Sequence, residues 1–240
     1  MTKLSVNINK IATLRNARGE DNPNILHMAK LIEAYGAQGI TVHPRPDERH
    51  IKKRDVLDLK KNLKVEFNVE GYPSADFIHF MHEIRPEQIT LVPDPPDVLT
   101  SNAGFRLTDD FAFVCEAIAQ LAPTKSRISI FIDPKDFMSG DLAIIKATGT
   151  DRIEMYTKDY ADNFGNEIIL GHFESLALRA KKIGLGVNAG HDLSLQNLQH
   201  LVSHIPVIDE VSIGHALICD ALTLGMKESV QRYLAALMPA

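Results

Sequence analysis

Eight short runs rich in β-branched residues, each followed by a stretch with helical spacing, predict an α/β fold closed as a (β/α)8 barrel. The 240 residues carry no composition shift that would mark a linker, so a single domain spanning 1–240 is expected. The first run leads into Asn7-Ile8-Asn9-Lys10, without the glycine-rich turn that an open doubly wound sheet commonly places there. Alternating strand and helix demands parallel pairing, because each crossover must return over the same sheet.

In chain order the strands are expected at Leu4–Ile8, Gly39–His43, Val65–Val69, Gln88–Val92, Arg127–Ile132, Arg152–Tyr156, Gly186–Ala189 and Glu210–Ile213. Several read as continuous apolar runs, the pattern of parallel strands covered on both faces. Amphipathic spacing predicts helices over Pro23–Tyr35, Ser74–Ile84, Asp109–Leu121, Lys135–Ala147 and Glu167–Ile183. Ser74 and Ser194 suit N-caps, and Gly36, Gly149 and Gly184 suit helix stops. Two connections are long, Arg15 to Asn22 and Pro93 to Phe105. Both follow strand C-termini, the face on which barrels build their sites, so both read as binding loops.

Composition narrows the function. Lysine and arginine number 26 against 31 acidic residues, a net charge of −5 without long basic runs, which argues against nucleic-acid binding. No apolar run reaches the length of a membrane span, and the start turns polar too early for a signal peptide, so a cytoplasmic protein is expected. The two cysteines, Cys115 and Cys219, sit in apolar helical patterns and read as buried structural thiols.

Polar residues collect at the strand ends. Asn7 and Asn9 end the first strand; His43 and Arg45 end the second, with His50 shortly after; Glu70 ends the third. Asp133 ends the fifth, Glu154 lies within the sixth, His191 follows the seventh and His215 the eighth. In a barrel these side chains converge on one mouth, which suits acid–base chemistry. His43 reads as a proton-transfer residue, against the alternative of a strand-end histidine bonded to a backbone carbonyl. Arg45 and His50 read equally as anion ligands or as a solvated surface pair. Glu70 suits a general acid or base, with a structural ion pair as the alternative. Glu154 requires a partner, so it is either half of a buried ion pair or a transition-state stabiliser. Asp133-Pro134 also reads as a simple helix start.

The glycine–histidine pairs Gly190-His191 and Gly214-His215 close the last two strands, where barrels commonly hold phosphate on backbone N–H groups. Glycine would let the backbone approach such a ligand, and the plain alternative is a pair of tight turns. No His-x-His or His-Glu-x-x-His occurs, so no metal site is expected. Lys10 and Lys158 are minority candidates for Schiff-base chemistry.

Five segments in order, Val6-Asn7-Ile8, Ile11 to Arg18, Gly39 to His43, Val187 to His191 and Ile213 to Ala216, resemble the pyridoxine 5′-phosphate synthase family. The similarity runs over essentially the whole chain. It implies a TIM barrel with added short helices, assembled as a homo-octamer without a cofactor. It also implies two phosphorylated small-molecule substrates, 3-amino-2-oxopropyl phosphate and 1-deoxy-D-xylulose 5-phosphate, giving pyridoxine 5′-phosphate, inorganic phosphate and water. Carried over by position, His43 and Glu70 become proton acceptors, His191 a proton donor and Glu154 the transition-state stabiliser. Arg45, His50 and Thr100 match contacts to the deoxyxylulose phosphate. Asn7, Arg18, the backbone of Asp192, and Gly214 with His215 match contacts to the amino-ketone phosphate. Many members carry Asp-His where this chain has Asn9-Lys10, and glycine where it has Asp192.

Overall fold

The eight expected strands form, and all pair in parallel in chain order until the last closes on the first. They are β1 (Lys3–Asn7), β2 (Gly39–Val42), β3 (Glu66–Gly71), β4 (Gln88–Leu91), β5 (Arg127–Ile132), β6 (Arg152–Tyr156), β7 (Gly186–Gly190) and β8 (Glu210–Ile213). Closure runs from Lys3 opposite Glu210 to Val6 opposite Ile213. The structure, a computed structural model, describes residues 1–93, 104–137 and 142–238. Around the barrel lie α1 (Asn9–Asn16), α2 (Ile25–Ala34), α3 (Lys53–Asn62), α4 (Ala75–Ile84), α5 (Leu107–Leu121), α6 (Ala143–Ala147), α7 (Lys158–Asp162), α8 (Glu167–Lys182), α9 (Leu198–His204), α10 (His215–Leu224) and α11 (Met226–Ala236). Among the described residues, no helix is long and apolar enough to cross a membrane.

The strands do not behave as uniformly apolar runs. Along each, aliphatic residues such as Leu4 and Val6, Ile40 and Val42, Ile89 and Leu91, and Val211 and Ile213 join the main hydrophobic core. The alternate positions carry polar side chains that turn to the barrel axis, as the two-residue period of a strand requires. Asn188 on β7 reaches Gln88 on β4 at 3.4 Å across the interior. One layer up, Ser5 and Thr41 exchange a 2.7 Å hydrogen bond, Asn68 Nδ2 donates to Thr41 at 3.3 Å, and Thr90 donates to Asn68 Oδ1 at 3.0 Å.

At the N-terminal end of the strands, a charged network forms the floor. Glu66 pairs with Arg127 and lies 3.6 Å from Lys3. Arg127 Nε donates to Gln88 at 3.0 Å; Arg152 donates to Asn188 at 3.0 Å and sits 3.9 Å from Glu210.

Four local expectations change. Arg15 and Asn16 end α1 rather than open a loop. Arg15 is buried, pairs with Asp55 at 2.6 Å and donates to the His50 carbonyl at 3.1 Å. The Lys135–Ala147 helix is a short 3-10 turn at Pro134–Phe137 and a separate α6, in keeping with the poor helix propensity of Ser139-Gly140-Asp141 between them. Ser194 does not cap a helix: its N–H donates to Asn197 Oδ1, and α9 begins only at Leu198. Cys115 is half-buried and Cys219 exposed, since α10 turns Cys219 away from its buried stripe. Ser74 caps α4 as expected, accepting from the Phe77 N–H.

Candidate active site

The mouth is assembled from residues at or just past the C-terminal ends of the strands. Asn7 at the end of β1 accepts from the Asn9 N–H at 3.0 Å, and Asn9 Oδ1 accepts from the His43 N–H at 2.9 Å. This relay ties the start of α1 to the end of β2, so Asn9 serves local structure. Asn7 Nδ2 lies 3.5 Å from Glu70 Oε2, and the same oxygen lies 3.9 Å from His43 Nδ1. Asn7, His43 and Glu70 therefore form one cluster.

His43 is buried beside cations. Desolvation, then Arg45, His50, His191 and Arg49, push its pKa down to about 3, so the imidazole is neutral and able to accept a proton. His50 is lowered to about 4 by burial, Arg45, Lys10 and Arg49, with Asp47 opposing. Its Nδ1 accepts from the Ile51 N–H at 2.9 Å, leaving Nε2 for other partners. Asn16 Nδ2 clasps the preceding loop through the carbonyls of His50, Arg49 and Glu48 at 2.8, 3.1 and 3.3 Å. Arg45 is buried, not a solvated surface charge.

Across the mouth, Glu154 on β6 is only 3% exposed. Its Oε2 has no hydrogen-bond partner among the described residues. Burial raises its pKa to about 7, against the opposing effects of His191 and Thr90. Among the described residues its Oε2 has no cation partner, which leaves the transition-state-stabiliser alternative open. His191 follows β7 with φ +83° and Asp192 with φ +55°, two consecutive left-handed residues that aim the imidazole at the mouth. The ring packs against Tyr156 at 5.2 Å and Phe131 at 5.8 Å between centroids. Asp192 Oδ2 lies 3.7 Å from His191 Nδ1, so its carboxylate turns to its neighbour.

The two glycines are packed against site residues. A Cβ at position 190 would meet Glu154 Oε1 at 2.5 Å, and one at 214 would meet Asn7 Cβ at 3.1 Å. Gly190 therefore makes room for a carboxylate of the protein itself. Gly214 precedes α10, whose first residue is the exposed His215, so that helix N-terminus opens beside Asn7.

Three residues fall elsewhere. Arg18 is exposed beyond α1, where it lines a hollow of about 650 Å³ with Leu14, Ala17, Asn22 and Pro23. Asp133 is buried and pairs with Lys135 at 2.5 Å, which fits the turn-start reading. Thr100 and most of the fourth loop lie outside the described residues. Thr90, against Glu154, and Phe131 and Tyr156, against His191, were missed by the sequence reading. Strict alternation along β4 to β6 is the signal that marks them as inward-facing.

With this geometry in view, the chain matches the family described as "Pyridoxal phosphate biosynthesis protein PdxJ" over residues 4–239. It is 52% identical over 235 residues to a pyridoxine 5′-phosphate synthase of Porphyromonas gingivalis, covering 97% of this chain and 98% of that one. It is 50% identical over 236 residues to a pyridoxine 5′-phosphate synthase of Cytophaga hutchinsonii, covering 98% of each. Among solved structures, it is similar to an N-(5′-phosphoribosyl)anthranilate isomerase from Pyrococcus furiosus, with a TM-score of 0.64 and 12% identity over 99% of this chain and 98% of that one. That likeness concerns the barrel alone.

Proposed function

The chain belongs to the PdxJ family of pyridoxal phosphate biosynthesis enzymes, and from that premise we propose that it is a pyridoxine 5′-phosphate synthase. In this reading it condenses 3-amino-2-oxopropyl phosphate with 1-deoxy-D-xylulose 5-phosphate, releasing inorganic phosphate and water. The observation that carries it is the cluster at the mouth, where Asn7 Nδ2 and His43 Nδ1 lie 3.5 and 3.9 Å from Glu70 Oε2, together with opposed tuning of His43, held neutral, and the buried Glu154, raised to about 7. Groups pushed apart in this way can serve as base and acid at one pH.

The chemistry follows from those states. The substrate amine forms an imine with the sugar ketone, so the protein needs no lysine. His43, with Glu70 beside it, accepts protons as the imine passes to an enamine. His191 returns a proton to a departing oxygen. Glu154, carrying its proton, donates a hydrogen bond to negative charge that develops in the transition state. Arg45 and His50 hold the sugar phosphate. Asn7, Gly214 and His215 hold the amino-ketone phosphate at the start of α10, while Arg18, exposed beyond α1, is not assigned to it. An acidic protein needs such local cations and N–H groups to draw in two anions.

The direct test mixes purified protein with both substrates and follows pyridoxine 5′-phosphate and released phosphate together. Equal appearance of the two is expected. A folded protein that binds either substrate without turnover would overturn the reading in favour of a binding barrel. Light scattering checks the proposed homo-octamer, and a monomer would refute it.

A further inference from the structure

The turn that follows β7 is held by two side chains from outside it. His191 and Asp192 both take left-handed backbone, which is costly for any residue with a Cβ and persists only with outside support. That support falls on three consecutive carbonyls. The Thr157 hydroxyl donates to the Gly190 carbonyl at 2.8 Å and shares its hydrogen with that of His191, while the Thr157 N–H donates to Gly190 at 3.0 Å. Asn197 Nδ2 donates to the Asp192 carbonyl at 3.2 Å. Asn197 Oδ1 accepts from the Ser194 N–H at 2.8 Å, which fixes the amide in that sense. Both residues are buried. Both also stand at helix N-caps, Thr157 before α7 and Asn197 before α9, where such side chains ordinarily bond the first free N–H groups of their own helix. Neither side chain caps its helix here. Each is spent on the turn instead.

We propose that Thr157 and Asn197 are positioning residues for His191: they pin the carbonyls of the left-handed turn and so set its imidazole at the mouth. Tyr156, the neighbour of Thr157 in the chain, packs edge-on against the same ring at 5.2 Å, and Phe131 lies at 5.8 Å. The end of β6 thus holds both the imidazole and the backbone that carries it. With those carbonyls released, the turn relaxes toward ordinary backbone and the ring leaves its place. A proton donor displaced by about 1 Å loses rate rather than substrate affinity. This inference rests on the reading of His191 as proton donor in the synthase reaction, yet one of its readouts needs no turnover.

The experiment joins steady-state kinetics of the whole protein to crystal structures of its variants. Thr157→Val keeps the shape of the side chain without its hydroxyl, so kcat should fall about 10- to 100-fold with KM within about twofold. Thr157→Ser should keep the wild-type rate, and Asn197→Ala should lower kcat likewise. Added to His191→Gln, Thr157→Val should cost no further rate, because the hydroxyl acts through the imidazole. Crystal structures of Thr157→Val and Asn197→Ala should show the His191 ring moved away from Tyr156. A ring that stays in place in both overturns the proposal, as does a loss confined to KM or one that persists in the His191→Gln background. If Thr157→Val does not fold, Asn197→Ala, on a different element, carries the same test. A wild-type protein silent in the synthase assay, with the ring displaced in the variants, would refute the assigned reaction while leaving the positioning role intact.

Discussion

At the floor of the barrel Glu66 meets Arg127 and Lys3, and Glu210 faces Arg152 at 3.9 Å. At the mouth Glu154 Oε2 has no partner among the described residues, and His43 stands neutral among cations. The two regions share strands: Arg152 and Glu154 lie two residues apart on β6, and Glu66 and Glu70 four apart on β3. The floor brings opposite charges together, which satisfies them and closes the barrel. The mouth separates its ionisable groups from full compensation, which leaves their protonation poised. Glu210 shows the limit of the contrast: burial, aided by Glu154, raises it to about 7 despite Arg152. Depth alone shifts a carboxyl upward, and only close pairing reverses that.

The comparison breaks most sharply if activity survives at the mouth. Glu70→Gln should lower kcat by about 10²- to 10⁴-fold with an unchanged melting temperature. A rate near wild type, measured by product formation, would remove Glu70 from the proton path. The floor should show the reverse pattern. Arg127→Met, which strips Glu66 of its main partner, should cost about 2–3 kcal/mol in urea unfolding with KM unaltered, less than a fully buried pair because Arg127 is 29% exposed. Adding Glu66→Gln should recover much of that loss, and failure to do so would deny that pairing is what the floor supplies.

Gly190→Ala tests how tightly the mouth is set. Its Cβ would displace Glu154 Oε1, so kcat should drop about 10- to 100-fold with little change in stability. The smallest effect is on pH-dependent stability. His43 and His50 titrate below their ordinary value of 6.5, at about 3 and 4. The unfolded chain therefore takes up these protons first. Their contribution is complete above pH 6.5 and is lost as pH falls through that window. His43→Gln should flatten the decline by no more than about 1.4 kcal/mol per pH unit below 6.5. Glu154 and Glu210, both raised, act oppositely: their contribution is complete below pH 4.5 and is lost as pH rises through about 7. An equally steep acid decline in His43→Gln would place the sensitive groups elsewhere.

The barrel was legible because its signal is local and repeated. Each strand is a short β-branched run, and three of the eight expected spans match the observed bounds, at Arg127–Ile132, Arg152–Tyr156 and Glu210–Ile213. His43, Glu70, Glu154 and His191 stood out because ionisable residues at the ends of apolar strands are rarely accidental. The inward layer was less legible, since Thr90, Asn68 and Ser129 are ordinary polar residues whose alternation hides among hydrophobic neighbours. Arg15 was misread for a related reason: from the chain alone, an arginine before Asn16-Ala17-Arg18-Gly19 looks like part of a solvated loop. Only Asp55, forty residues on, makes it a buried brace.

By itself the sequence determined the order of strands and helices, the closure into one barrel and the family to which the chain belongs. Periodicity and motif order are properties of neighbours along the chain. Tertiary structure alone decided which charges are satisfied. Glu66 and Glu154 are both glutamates on β-strands, yet one finds Arg127 while the other faces Thr90 and the space left by Gly190. The physical reason is that protonation depends on solvent exclusion and on partners a few ångströms away, and those partners come from strands far apart in sequence.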